Sequence, residues 1–297
     1  MARFFHIMSI WPLVRVVRRR AGLITHRPTG AVAEEKRGAD VMKVLWVHAH
    51  PEPRSLSGAL RDEGLRTLHG LGHETRQSDL YAMDWNPVVD RADFPRHAAG
   101  RLVVTTASRD AHASGLLSED IRAEQAKLRW ADTVVFQFPL WWLGPPAILK
   151  GWFDRVLVKG FAYGVRDPES GRTLRYGSGG LAGKRAMAVL TIGAGGPSFG
   201  DRGIHGSLED VLFPLHHGIF WYTGMAPLPP FAVHGADRLT AEGYAAAAAG
   251  LRDRLRELPG TEPLPFRRED SGDYDEDSVL RPHVAPGRSG TAAHYVR

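Results

Sequence analysis

Residues 131–163 read ADTVVFQFPLWWLGPPAILKGWFDRVLVKGFAY. Positions 133–138 form a short apolar run rich in β-branched and aromatic residues, and a proline follows at once. A run of that length with that ending reads as a buried parallel strand, not as a helix. Pro139 closes the run and Gly144-Pro145-Pro146 makes a second stop, so 140–143 are expected to be a loop at the strand's carboxyl end. Pro145 and Pro146 suit the first turn of a helix, continued by Ala147, Ile148, Leu149, Trp152, Phe153 and Val156 at helical spacing. The loop itself holds Trp141 and Trp142 side by side, where an ordinary turn is polar. In open α/β sheets, ligands bind in the crevice outside the carboxyl ends of the strands. Two adjacent indoles there point to a flat aromatic ligand; the competing reading is that they plug the top of the core.

Outward from this stretch the same alternation repeats. Residues 41–48 read as the first strand, followed by the turn His50-Pro51-Glu52-Pro53-Arg54-Ser55-Leu56-Ser57 and a helix over 58–71, with Ser55 and Ser57 as natural N-caps. A strand, a polar turn and a helix N-terminus make a cradle for an anion, because free N–H groups and the helix dipole favour negative charge. The turn lacks the Gly-rich signature of a P-loop or dinucleotide fold. Residues 73–80 read as a second strand, 81–91 as the start of a long irregular connection, and 118–128 as a helix with Glu119 and Asp120 in its first turn. Residues 166–183 are Gly- and charge-rich, hence a surface excursion. Residues 185–192 form another apolar strand, which empties into the Gly-rich loop 193–200. A helix over 207–217, a strand over 219–225 and an Ala-rich helix over 241–258 complete the pattern. Strands as solid apolar runs in βαβ alternation argue for an α/β fold, a doubly wound parallel sheet with helices on both faces.

Composition narrows the function. The 297 residues are 43% hydrophobic and 24% charged, ordinary for a globular protein. The chain has no cysteine, which excludes thiol catalysis and cysteine-ligated metals and is compatible with a cytoplasmic location. Residues 1–41 hold 8 Lys/Arg and 3 Asp/Glu, while 42–297 hold 30 of each, so the net charge of +5 belongs to an N-terminal extension. This argues against nucleic-acid binding by the domain. The extension is expected to be disordered; its apolar run is too short for a membrane span and Arg18-Arg19-Arg20 follows the run, the wrong layout for a secretory signal. The expected organisation is an extension at 1–41, one α/β domain at 42–260 and an acidic tail at 261–297, disordered or wrapped along a neighbouring surface.

Short motifs contribute less. Gly196-Pro197-Ser198-Phe199-Gly200 matches the G-x-S-x-G elbow of serine hydrolases, but Asp201-Arg202-Gly203 follows where a helix should start. His48 and His50 alternate onto one side of a strand end, yet no carboxylate follows at ligand spacing, and no metal is expected. His205, between glycines just past the flexible loop, could stabilise charge or donate a proton, or else cap a helix. The phenol of Tyr163 could hydrogen-bond an oxygen of a substrate.

Taken together, several stretches resemble the NAD(P)H:quinone oxidoreductases of the flavodoxin-like fold, the DT-diaphorase family. They are 50–57, Ser78-Asp79-Leu80-Tyr81-Ala82-Met83 with Asn86-Pro87, Ala123-Glu124-Gln125, 136–155, Phe161-Ala162-Tyr163, 191–193 and Gly203-Ile204-His205-Gly206, in the family's order across roughly 43–258. The run FQFPLWWLGPPAILKGWFDRV is the most specific of them. The resemblance implies a homodimer with one FAD per subunit, each site completed by the neighbouring subunit. By it, His50, Ser55, Leu56 and Ser57 match the turn that holds the flavin's phosphate and ribityl part. Pro139, Leu140, Trp141, Trp142 and Leu143 match the loop along the isoalloxazine ring, and Thr191, Ile192, Gly193 and Ala194 the loop over its other edge. Tyr163 and His205 match active-site residues, with Gly193 supplying a backbone donor; Gln125 has no assigned role.

The sequence also departs from the family. Phe199 stands where the family has a Tyr that partners the histidine, so His205 would act alone or with a backbone donor. Val165 replaces a second Tyr, Trp141 a Gln and Leu143 a Phe. The expected activity is ping-pong reduction of quinones or related electrophiles by NADH or NADPH through FAD, or through FMN, without membrane association. Two other readings are a regulatory ancillary subunit of a potassium-efflux transporter and an FMN-dependent azo- or nitroreductase.

Overall fold

Alternation along the first strand shows how the sheet is covered. Val44 and Trp46 of β1 (Lys43–His48) face one layer, Leu45 and Val47 the other, and all four are fully buried. A strand buried on both faces needs helices on both sides. The computed structural model describes residues 41–97 and 99–296; the expectation of disorder over 1–41 falls, but for Val41, outside the described residues. In chain order the elements are β1, α1 (Leu56–Gly70), β2 (Glu74–Asp79), α2 (Val104–Ala113), α3 (Glu119–Trp130), β3 (Thr133–Pro139), α4 (Ala147–Val156), β4 (Arg185–Ile192), two short helices α5 (Leu208–Val211) and α6 (Phe213–Leu215), β5 (Ala226–Pro227), β6 (Phe231–His234) and α7 (Ala241–Glu257). The strands are parallel in the order β2-β1-β3-β4-β5, with β6 also on β4. Helices α1 and α7 share one apolar layer with Val44, Trp46, Val135 and Met187, while α3 and α4 pack with Leu45, Val47, Phe136 and Phe138 on the other.

Three expectations need correction. The stretch 219–225 is not a strand: His216–Trp221 is π-helical, and Thr223 Oγ1 donates back to Ile219 O at 2.9 Å. An apolar run that short does not distinguish a strand from a helix by periodicity. The edge strand lies later and is split in two, since Pro229 and Pro230 have no N–H to give the ladder between β5 and β6. The helix expected over 207–217 breaks at Leu212 into α5 and α6, with Pro214 inside the second. The long connection after β2 contains α2, which begins at Val103 without any side-chain cap and so carries no start signal.

Buried charge anchors that connection. The Arg155 guanidinium, 3% exposed, bonds Asp93 at 2.5 Å, Asp120 at 2.7 Å and Asn86 O at 3.0 Å, and lies 4.6 Å from the Trp85 ring centre. The tail also lies on the body. Leu264 N donates to Pro227 O at 2.7 Å, Trp221 Nε1 donates to Arg267 O at 2.9 Å, and Phe266 and Tyr295 are buried against each other. Among the described residues no helix is long and apolar enough to cross a membrane.

Candidate active site

Three loops meet at the carboxyl edge of the central strands. The first leaves β1. Ser55 caps α1, its hydroxyl accepting from Gly58 N at 3.1 Å, and half-buried Leu56 begins the helix. A Cβ at Gly58 would fall 2.1 Å from Pro53 O, so only glycine lets the turn fold back this closely onto the helix. His50 accepts from Glu52 N at 3.1 Å through Nδ1, and burial lowers its pKa. Its ring centre is 6.5 Å from Trp141 on the second loop.

Beneath the turn lies a buried polar network. Gln137, fully buried in β3, accepts from Trp46 Nε1 at 2.8 Å and donates through Nε2 to Ser57 O at 2.7 Å. Its Oε1 also lies 3.1 Å from His48 Nδ1. An amide oxygen only accepts, so that His48 nitrogen carries the proton. Burial pushes the His48 pKa down to about 4, against a smaller upward pull from Asp79, so the ring is neutral at pH 7. Ser57 Oγ lies 3.0 Å from Thr191 Oγ1, which ties the first turn of α1 to β4.

The second loop follows β3. Pro139 is still in register with Thr191, and Leu140 N donates to Thr191 O at 2.9 Å. Trp141 and Gly144 exchange two backbone bonds of 3.0 Å each, which closes a two-residue turn on Trp142 (φ 51°) and Leu143 (φ 59°). Two left-handed central residues define a turn that ordinarily takes Asn-Gly. A bulky side chain there costs on the order of 1–2 kcal/mol per residue. The result is an indole lifted wholly into solvent: Trp142 is 100% exposed, with Trp141 and Leu143 partly exposed beside it. The helix after the loop starts at Ala147, with Pro146 in the capping position.

The third loop leaves β4 beyond buried Thr191 and Ile192. Gly193 and Ala194 are half-buried, and a Cβ at Gly193 would fall 2.5 Å from Asp237 Oδ2, so the backbone passes too close for a side chain. Phe199 is buried, its ring 4.8 Å from that of His205 and 5.6 Å from that of His234. Half-buried His205 is held by its backbone, N–H to Ser198 O at 3.1 Å. The Ser198 hydroxyl donates to Gly195 O at 2.6 Å within a 3₁₀ turn, not at a strand-to-helix elbow.

Tyr163 follows α4 in the chain. Its ring meets Tyr222, which in turn meets Tyr176, and none of these belongs to the three loops. Burial, and to a smaller degree Tyr222, raises its pKa. Gln125 has a structural role: its Nε2 donates to Val156 O at 3.0 Å, at the end of α4. Next to it, fully buried Glu124 accepts from Ser78 at 2.7 Å, Trp152 at 2.8 Å and Lys127 at 2.6 Å. Gln137 and His48 support the site and were not singled out as part of it. The available signal was one amide inside an otherwise apolar strand.

Residues 42–257 match the family model described as flavodoxin-like fold. A ribosyldihydronicotinamide dehydrogenase-like protein of Penicillium crustosum is 48% identical over 235 residues, 78% of this chain and 87% of that relative. NAD(P)H dehydrogenase [quinone] 1 of Rattus norvegicus is 36% identical over 229 residues, 76% of this chain and 81% of its own. Among solved structures, a candidate quinone reductase from Klebsiella pneumoniae superposes with a TM-score of 0.82 at 48% identity, covering 86% of this chain and 99% of that one. Sheet order, loop placement and these similarities agree, and the chain belongs to the DT-diaphorase-like family of flavodoxin-fold quinone oxidoreductases.

Proposed function

We propose that the protein passes two electrons from NAD(P)H to a quinone or related electrophile, in ping-pong order, using a flavin bound across the three loops, with FAD the first choice. The observation that carries this reading is Trp142, fully exposed and held out by a left-handed turn whose neighbouring Trp141 ring lies 6.5 Å from His50 of the first loop. Bound flavin would supply the electron relay between donor and acceptor. The residues fit such a group: a flat apolar face, an anion-favouring helix start, and a Gly-rich third loop whose backbone runs tight against Asp237 at Gly193.

Each part then has one task. The first-turn N–H groups of α1, with Ser55 and Ser57, hold phosphate. Trp142 and Leu143 cover one ring face and exclude water from it. Backbone N–H groups of the 193 loop and the His205 imidazole face developing negative charge. Phe199 offers no hydroxyl, so His205 works without the side-chain partner found elsewhere in the family. The resemblance to the family adds a homodimer in which a second copy brings the Tyr163 phenol to the site.

The test is to denature the purified protein, identify the chromophore released, and assay NAD(P)H oxidation with a simple quinone. FAD with quinone-dependent turnover is expected. FMN instead would move the protein toward azo- and nitro-reduction. A protein that cannot be loaded with either flavin would overturn the reading.

A further inference from the structure

Gln137 holds both ends of the β1–α1 turn. Its backbone oxygen accepts from Ala49 N at 2.9 Å, where the chain leaves β1, and its side-chain Nε2 donates to Ser57 O at 2.7 Å, where the chain enters α1. One residue of β3 therefore fixes the span between positions 49 and 57. Its amide is itself oriented: Oε1 accepts from Trp46 Nε1 at 2.8 Å and faces His48 Nδ1 at 3.1 Å. With the oxygen so occupied, the NH₂ group has to point at Ser57. Trp46 is in turn locked by helix α1, since a Cβ on Gly64 would lie 2.3 Å from its ring. All of these side chains are buried, and an amide in an apolar strand is tolerated when its bonds are met.

We propose that Gln137 is a positioning residue for cofactor binding, setting the direction of the first N–H groups of α1 without touching the flavin. The inference rests on the reading of the crevice as a flavin site. Helix N-termini bind anions through N–H groups aimed at one point. A rotation of the first turn spoils that aim while leaving the fold intact. The Thr191–Ser57 contact acts on the same turn from β4 but reaches it through a hydroxyl free to rotate, whereas the Gln137 amide has a single orientation.

Gln137→Glu keeps the shape and the acceptor for Trp46 but sets a carboxylate oxygen against Ser57 O; Gln137→Met removes both bonds at similar volume. Apoprotein of each variant is titrated with FAD and with FMN by fluorescence quenching, and its melting temperature and amide exchange at 49 and 56–60 are measured. Expected is a loss of flavin affinity of about tenfold or more, the range seen when a group that orients a ligating residue is removed. Exchange should quicken at those amides before any general unfolding. Unchanged affinity with wild-type exchange at 49 and 56–60 would overturn the proposal, as would an affinity loss that merely follows global unfolding. If neither Gln137 variant folds, Trp46→Phe frees Oε1 more gently and should give the same local quickening; wild-type exchange there would also overturn it. Should the wild-type chain bind neither flavin, the reading of the site fails, and exchange at the turn still decides whether Gln137 clamps it.

Discussion

Two loops leave neighbouring strands at the same edge of the sheet and are held in opposite ways. The 49–57 turn is fixed from below by Gln137, Thr191 and the Ser55 cap. The 140–144 loop is closed by its own backbone, around two residues in a conformation they intrinsically disfavour. The first is stabilised by its surroundings, and the second keeps its shape against local preference. A phosphate needs N–H groups with fixed directions, which a satisfied polar network supplies. A flat ring needs uncovered apolar surface, which a tight turn lifts out of the core at a cost in strain.

Acid should separate the two loops most strongly. Burial lowers the pKa of His48, His216 and His217 to about 4 each. For a base depressed in this way, the folded state loses nothing above the unfolded pKa near 6.5. Below it the unfolded chain binds protons first, and stability falls until the folded pKa is reached. His48 alone would cost about 3 kcal/mol by pH 4. Urea midpoints should drop steeply below about pH 6.5, and His48→Leu should flatten the slope; an unchanged slope would remove His48 from the support of the turn.

A nearly equal effect is expected from the third loop, in rate instead of stability. His205→Ala should raise the barrier to NAD(P)H-driven flavin reduction by about 2.7–4 kcal/mol, the loss typical of one charge-stabilising donor. Stopped-flow reduction at the wild-type rate would assign the task to the backbone of the 193 loop. The two smaller predictions differ in sign. Ser57→Ala removes the hydroxyl that meets Thr191 and should cost about 1 kcal/mol in thermal unfolding. Leu143→Gly relieves a left-handed residue and should stabilise by roughly 0.5 kcal/mol, while weakening flavin retention. If both variants lose stability, the second loop is not strained and the contrast between the loops disappears.

The legible parts of the sequence were those where a single segment carries its own signal. The apolar runs of β1, β3 and β4 are buried on both faces, so they stand out without knowledge of their partners. Ser55 announces the start of α1, and the paired indoles stand out because they follow a strand. The support beneath the turn was illegible because it is non-local: Gln137 meets Ser57 across 80 positions and Trp46 across 91. Nor do Trp142 and Leu143 advertise a left-handed turn, since neither favours one. Residues 219–225 misled because Ile219, Phe220, Trp221 and Tyr222 suit a strand, whereas Phe220 is buried from a π-helical turn against Phe136.

The interrupted edge of the sheet has a consequence for association. An open sheet exposes two rows of unpaired backbone groups, which invite another chain to add a strand. Here one border is β5 and β6 with Pro227, Pro229 and Pro230 in or between them, and the other is β2, whose sequence ETRQSD is polar and charged. Among the described residues, neither border offers a long, flat, apolar template. Copies of the chain would therefore meet through helices and loops instead of by sheet extension, which protects a crowded solution of folded molecules from growing into fibres.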